Sequence, residues 1–139
     1  ALERAVAMGA TRAVNVSQGA GALAEFEAGK GYFDLVFECS AAAPAIRGAI
    51  ATVKPRGTIV QVGVSGEVPV PLNAIVAKEL HFHGTQRFPE EFATAVALIS
   101  SRAIDVRPII SHSLPLAQAD AAFLLAGDRS AACQAQLTF

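Results

Sequence analysis

FDLVFECSAAAPAIRGAIATVKPRGTIVQVGV, residues 33–64, decides the fold. Its first six residues are almost continuously apolar, the pattern of a strand buried on both faces. Pro44 stands where a first helical turn tolerates proline, residues 45–53 continue as helix, and Lys54-Pro55-Arg56-Gly57 breaks it before a second apolar run at 58–64. Strand, helix, strand is the unit of a parallel sheet, and such sheets bind ligands beyond the carboxyl ends of their strands. Small and polar residues stand at both ends here. A dinucleotide-binding domain normally opens with a strand running into G-x-G-x-x-G, and that run does not occur in the sequence. The chain reads as part of an enzyme.

Outward from this stretch the same rhythm continues. Residues 1–8 have helical composition closed by Gly9, residues 11–16 favour strand, and residues 22–28 form a short helix closed by Gly29. Downstream, 66–71 is a loop with two prolines, 72–77 a short helix and 80–85 a strand. Pro89 opens a helix to about residue 101, then come an extended run at 109–114, a helix at 116–126 and a closing strand at 133–139. The fold class is α/β, an incomplete doubly wound parallel sheet of Rossmann type lacking its first strands. Without those strands, residues 11–16 either shift to a new neighbour or leave an open edge.

At 139 residues the chain suits one compact core without disulfide or metal staples. Its composition is 53% hydrophobic and 17% charged, against a usual charged share of roughly 25%. Apolar surface lacking its natural cover and alanine-rich helices both give these values. A net charge of −1 with scattered basic residues excludes a nucleic-acid or anionic-lipid partner. No apolar run reaches the roughly 18 residues of a membrane helix, so a soluble, cytoplasmic chain is expected. Cys39 and Cys133, far apart and without C-x-x-C spacing, make neither a disulfide nor a structural zinc site.

Three strand ends share one sheet edge: Glu38-Cys39-Ser40-Ala41, Val62-Gly63-Val64 and Gly84-Thr85-Gln86-Arg87. Glycine at 63 and 84 lets a flat ring or a pyrophosphate approach the backbone, although glycine after a strand is also ordinary turn chemistry. Glu38 is read as held by backbone donors rather than as a base, and Cys39 as a small packing residue with nothing nearby to ionise it. His81 and His83 project from one strand face but lack a third ligand, and His112 stands alone. No catalytic residue and no metal ligand is assigned.

Met8-Gly9-Ala10, Lys30-Gly31-Tyr32-Phe33-Asp34, Val60-Gln61-Val62-Gly63, Gln86-Arg87-Phe88, Ala126-Gly127-Asp128 and Gln136-Leu137-Thr138-Phe139 together resemble the zinc-dependent medium-chain alcohol dehydrogenases, in their sorbitol and L-idonate dehydrogenase branch. The resemblance implies residues 1–100 as the later part of a dinucleotide-binding domain, and 101–139 as a segment returning towards a catalytic domain that the chain does not contain. It places Cys39, Ser40 and Ala41 beside the adenosine half of NAD or NADP, and Val62, Gly63 and Val64 beside the nicotinamide. Thr85 and Arg87 then offer backbone groups to the carboxamide, and the planar fork of Arg87 can reach substrate or phosphate. Gln134 departs from the family, which carries there a lysine or arginine paired with the pyrophosphate.

The resemblance further implies a parent that moves hydride between the cofactor and a sugar acid or polyol, with zinc on residues absent here and this piece inactive alone. Two other readings stand beside it: an assembly module, and the lobe of a zinc-free quinone or enoyl reductase. A homodimer or higher homo-oligomer is expected in either case. Its contact is either residues 66–85, where Val68, Val70, Leu72, Ile75 and Leu80 supply apolar surface, or the edge at 11–16.

Overall fold

The computed structural model describes residues 1–19, 21–86, 90–128 and 130–139. In chain order its main elements are α1 Leu2–Ala7, α2 Ala24–Glu27, β1 Phe33–Glu38, α3 Ala43–Thr52, β2 Val53–Gln61, α4 Leu72–Ala77, β3 His81–Gly84, α5 Glu91–Ser100, β4 Ile110–Pro115, α6 Ala119–Gly127 and β5 Gln134–Thr138. They divide into two compact units, Val14–Arg87 and Ala1–Ala13 with Phe88–Phe139. The α/β class with parallel strands agrees with the sequence reading.

In the first unit a three-stranded parallel sheet runs in the order β1-β2-β3. Glu38 pairs with Gln61, and Gln61 with Gly84, so all three strands end on one row. Helix α3 packs on this sheet. Ile50, Val53 and Ile59 are fully buried beside Ile46 and Ala49, with Val36, Val68, Ala74, Ile75 and Leu80 packed around them. Each such side chain contributes roughly 1.5–3 kcal/mol on burial. The expectation that β1 is buried on both faces does not hold: Leu35 and Phe37 are exposed on one face, and on the other Asp34 is exposed, Val36 half-buried and Glu38 buried.

Helix α3 ends where Lys78 reaches back from beyond α4. Its ammonium donates to the carbonyls of Ile50 (2.8 Å), Ala51 (2.7 Å) and Val53 (2.9 Å), groups a helix end leaves without intrahelical partners. Burial depresses the Lys78 pKa, against an opposing pull from Glu27. Strand β2 then starts directly at Val53, five residues before the expected 58, because Phe33 pairs with Val53 ahead of a bulge. It stops at Gln61 rather than 64, because the amides of Val62 and Gly63 both turn to the Glu38 carbonyl, at 2.8 and 2.9 Å.

Residues 11–16 do not form the expected strand. The Asn15 side chain accepts from the Ser17 amide (3.0 Å) and hydroxyl (2.7 Å), capping a 3-10 turn at Val16–Gln18. Such local side-chain bonding competes with a sheet ladder. The helix expected at 22–28 contracts to α2, followed by a 3-10 turn through Gly29 at φ 63°.

In the second unit β4 and β5 form a parallel pair joined through α6, whose expected first turn is a 3-10 turn at Leu116–Gln118. Every residue of α5 is exposed, including Phe92, Val96, Leu98 and Ile99. Of the two explanations of the apolar composition, uncovered surface is therefore present. Pro89, expected to open that helix, lies outside the described residues. No helix among the described residues is long and apolar enough to cross a membrane.

Candidate functional site at the strand ends

Everything at this edge turns on Glu38, which is 4% exposed at the last position of β1. Its carboxylate accepts from the Ser40 amide (2.8 Å) and hydroxyl (2.5 Å), from the Ala41 amide (2.8 Å), and from the Gln61 side-chain amide. Burial pushes the carboxyl up, but the bonds from Ser40, Gln61 and Ala41 together outweigh it, and the group stays below its ordinary value. It is thus held by backbone donors, as the sequence reading had it. Satisfying it bends residues 39–41 so tightly that Ala41 stands at φ 56°, a conformation uncommon for alanine.

The second turn lies against the first. A Cβ on Gly63 would stand 2.5 Å from the Ala41 amide nitrogen and 2.8 Å from the Cys39 carbonyl carbon, so glycine is there for close approach. Gln61 ties the two turns, since the same side-chain nitrogen that donates to Glu38 donates to the Gly63 carbonyl at 2.9 Å. Its oxygen Oε1 is buried without a hydrogen-bond partner. On the third strand, the Thr85 amide donates to the Gln61 carbonyl at 3.2 Å.

An open cleft of about 520 Å³ lies along this edge, lined by Gln61, Gly63, Val64, Gly84, Thr85 and Gln86, with Ile46, Val68, Val70 and Phe82 among its apolar walls. A Cβ on Gly84 would meet nothing within 4 Å, so its backbone borders free space. Of the residues singled out, Gly63, Val64 and Thr85 line the cleft. Cys39, Ser40 and Ala41 form the turn behind Gly63, and Ser40 borders a neighbouring apolar hollow of about 560 Å³ with Val36, Phe37 and Pro44. Val62 is exposed beside them, and Arg87 lies outside the described residues. The Ser40 hydroxyl already donates to Glu38 and accepts from the Ala42 amide at 3.2 Å, so it has no proton free for a ligand.

Cys39 and Cys133 are exposed free thiols. The rings of His81 and His83 stack at 6.3 Å on the exposed β3, and His112 Nδ1 lies 3.0 Å from the Ser111 hydroxyl. Among the described residues no three His, Cys, Asp or Glu side chains converge to hold a metal. Gln61 escaped the sequence reading, although its signal was present: an amide at the end of an otherwise apolar strand is the position that asks for an explanation.

A family model described as zinc-binding dehydrogenase matches residues 1–101. Over 115 residues the chain is 34% identical to L-idonate 5-dehydrogenase (NAD(P)(+)) of Escherichia coli K12, an overlap of 82% of this chain and 34% of that protein. The crystal structure of L-idonate 5-dehydrogenase from that organism superposes with a TM-score of 0.91 at 32% identity, over 99% of this chain and 40% of the other. D-xylulose reductase of Saccharomyces cerevisiae is 40% identical over 97 residues, covering 68% of this chain and 27% of its own. An alcohol dehydrogenase of E. coli CFT073 solved with NADH superposes with a TM-score of 0.84 at 28% identity, over 99% of this chain and 41% of its own. The chain therefore spans about a third of the length of the curated relatives it matches.

Proposed function

The chain belongs to the zinc-binding dehydrogenase family, and from that premise we propose that it supplies the nicotinamide-side wall of an NAD(P)-dependent oxidoreductase acting on a sugar acid or polyol. The observation that carries this reading is the row Glu38, Gln61 and Gly84, which brings the turn at Gly63 and a bare glycine backbone to one open cleft, with the turn at 39–41 behind it. A flat ring fits such a cleft, with apolar walls for its face and backbone groups at its rim for a carboxamide. Nicotinamide supplies hydride chemistry when bound. The residues of this chain bind and orient: Val62, Gly63, Val64 and Thr85 at the ring, Cys39, Ser40 and Ala41 towards the adenosine half, and Arg87 towards carboxamide, phosphate or substrate.

Zinc does not fit the described residues, which offer it no ligand set. A metal serving the parent enzyme sits on other residues, in a catalytic domain towards which residues 101–139 return. A cytoplasmic location belongs to the same reading.

The test uses the full-length protein with NAD⁺ and NADP⁺ against a panel of polyols and sugar acids that includes L-idonate, sorbitol and xylitol. Reduction of a nicotinamide cofactor by at least one of them is expected, and none by the 139 residues alone. A full-length protein inert to the whole panel overturns the reading, as does turnover by the 139-residue chain.

The parent assembles as a homodimer or higher homo-oligomer through the margin at β3. Val68, Ile75 and Leu80, expected at its surface, pack on the core instead, whereas Val70, Leu72 and Val76 stay exposed around the edge strand. Val70→Asp is expected to shift sedimentation towards monomer, and an unchanged oligomer removes this face as the contact.

A further inference from the structure

We propose that Glu38 and Gln61 are a positioning pair, which holds the turns at 39–41 and 62–64 at a fixed separation and so sets the cofactor-binding shape of the cleft. This rests on the reading of the cleft as a nicotinamide site. Three features carry it. The Glu38 carboxylate gathers the Ser40 and Ala41 amides of the first turn, and its main-chain carbonyl gathers the Val62 and Gly63 amides of the second. One Gln61 nitrogen then closes the ring by donating to Glu38 and to the Gly63 carbonyl. The remaining Gln61 oxygen is buried unpartnered.

That last feature separates positioning from ordinary packing. An unpaired buried acceptor and a buried carboxylate are both destabilising relative to a well-packed apolar pair. Two apolar residues at these positions would finish the β1 and β2 ladder more stably, but no side chain would then join the turns. Both protons of the Gln61 amide have acceptors, so the residue is explained by its nitrogen, and the nitrogen does nothing except tie the two walls.

The test is Gln61→Met in the full-length protein, titrated with NADH and NADPH between pH 5 and 8. Methionine keeps the length and packing of the side chain and removes both donors. The dissociation constant of the preferred nucleotide is expected to rise about tenfold at pH 7.5. Removing one of the bonds that hold the Glu38 carboxyl low while burial persists raises its pKa, so loss of the carboxylate's hold on residues 39–41 on acidification should set in at a higher pH than in the unmodified protein. A purely structural role lowers the folded fraction and leaves the affinity of the folded protein unchanged. Affinity of the folded variant within twofold of the unmodified protein overturns the proposal. Absence of nucleotide binding by the unmodified protein instead overturns the reading on which it rests. Should Gln61→Met not fold, Glu38→Gln decides: a several-fold weaker, pH-independent affinity supports the pair, and unchanged affinity overturns it.

Discussion

Gly31→Ala is expected to destabilise the protein by about 3–5 kcal/mol, lowering the unfolding midpoint by roughly 10 °C or more. Gly31 stands at φ 121°, where L side chains are strained, and an added Cβ would lie 2.2 Å from the Val53 carbonyl oxygen and 2.8 Å from the Lys54 nitrogen. These are backbone atoms, so no rotamer change relieves the clash. The chain must part between Gly31 and Val53. Just beyond, the Tyr32 amide donates to the Thr52 carbonyl at 2.7 Å and Phe33 pairs with Val53. Phe26, Tyr32 and Phe33 also pack ring on ring at 5.1–5.3 Å. The separation therefore breaks a hydrogen bond, loosens the fully buried Val53 and disturbs an aromatic cluster together. Gly66→Ala is the control, because its Cβ would meet nothing within 4 Å. Its effect should stay within about 0.5 kcal/mol. Thermal unfolding of both variants checks this, and a Gly31→Ala midpoint within 2 °C of the unmodified protein refutes it.

The fold is legible in the sequence where the information is local. Residues 33–38 carry a continuous apolar run and Pro44 a first-turn signature, and both elements stand where the sequence puts them. Strand ends were harder, because a ladder stops where its amides find other partners. Val62 and Gly63 turn to a carbonyl 24 and 25 residues away in sequence, and nothing in TIVQVGV announces that. Residues 11–16 have strand propensity, yet a strand needs a neighbour, and Asn15 offers the backbone a local alternative. Clustering of the three strand ends was readable from parallel order alone. The tie between them was not, because it needs Gln61 and Glu38 side by side on adjacent strands, a register set by the bulge between Phe33 and Leu35.

Gly63→Ala is the counterpart to Gly31→Ala at the cleft, and it should divide binding from stability. Here strain at a left-handed backbone is not the issue; the added Cβ would stand 2.5 Å from the Ala41 nitrogen, 2.8 Å from the Cys39 carbonyl carbon and 3.0 Å from its oxygen. Ordinary contact needs the two turns to part by about 1 Å. That movement stretches the Gly63 amide away from the Glu38 carbonyl and the Ala41 amide away from the Glu38 carboxylate, bonds of 2.9 and 2.8 Å. The buried strands below are untouched, so the stability loss should be about 2 kcal/mol. A misplacement of 1 Å at a site that orients a reacting ring can lower rate by about a hundredfold. In the full-length protein, kcat/KM for the nicotinamide cofactor is therefore expected to fall about a hundredfold. The folded fraction of Gly31→Ala should keep near-normal values, since its damage lies at the opposite end of β1. Steady-state kinetics on both variants at a temperature where each remains folded makes the comparison. If Gly63→Ala stays within threefold of the unmodified protein, the two turns are scaffold and the ring binds elsewhere.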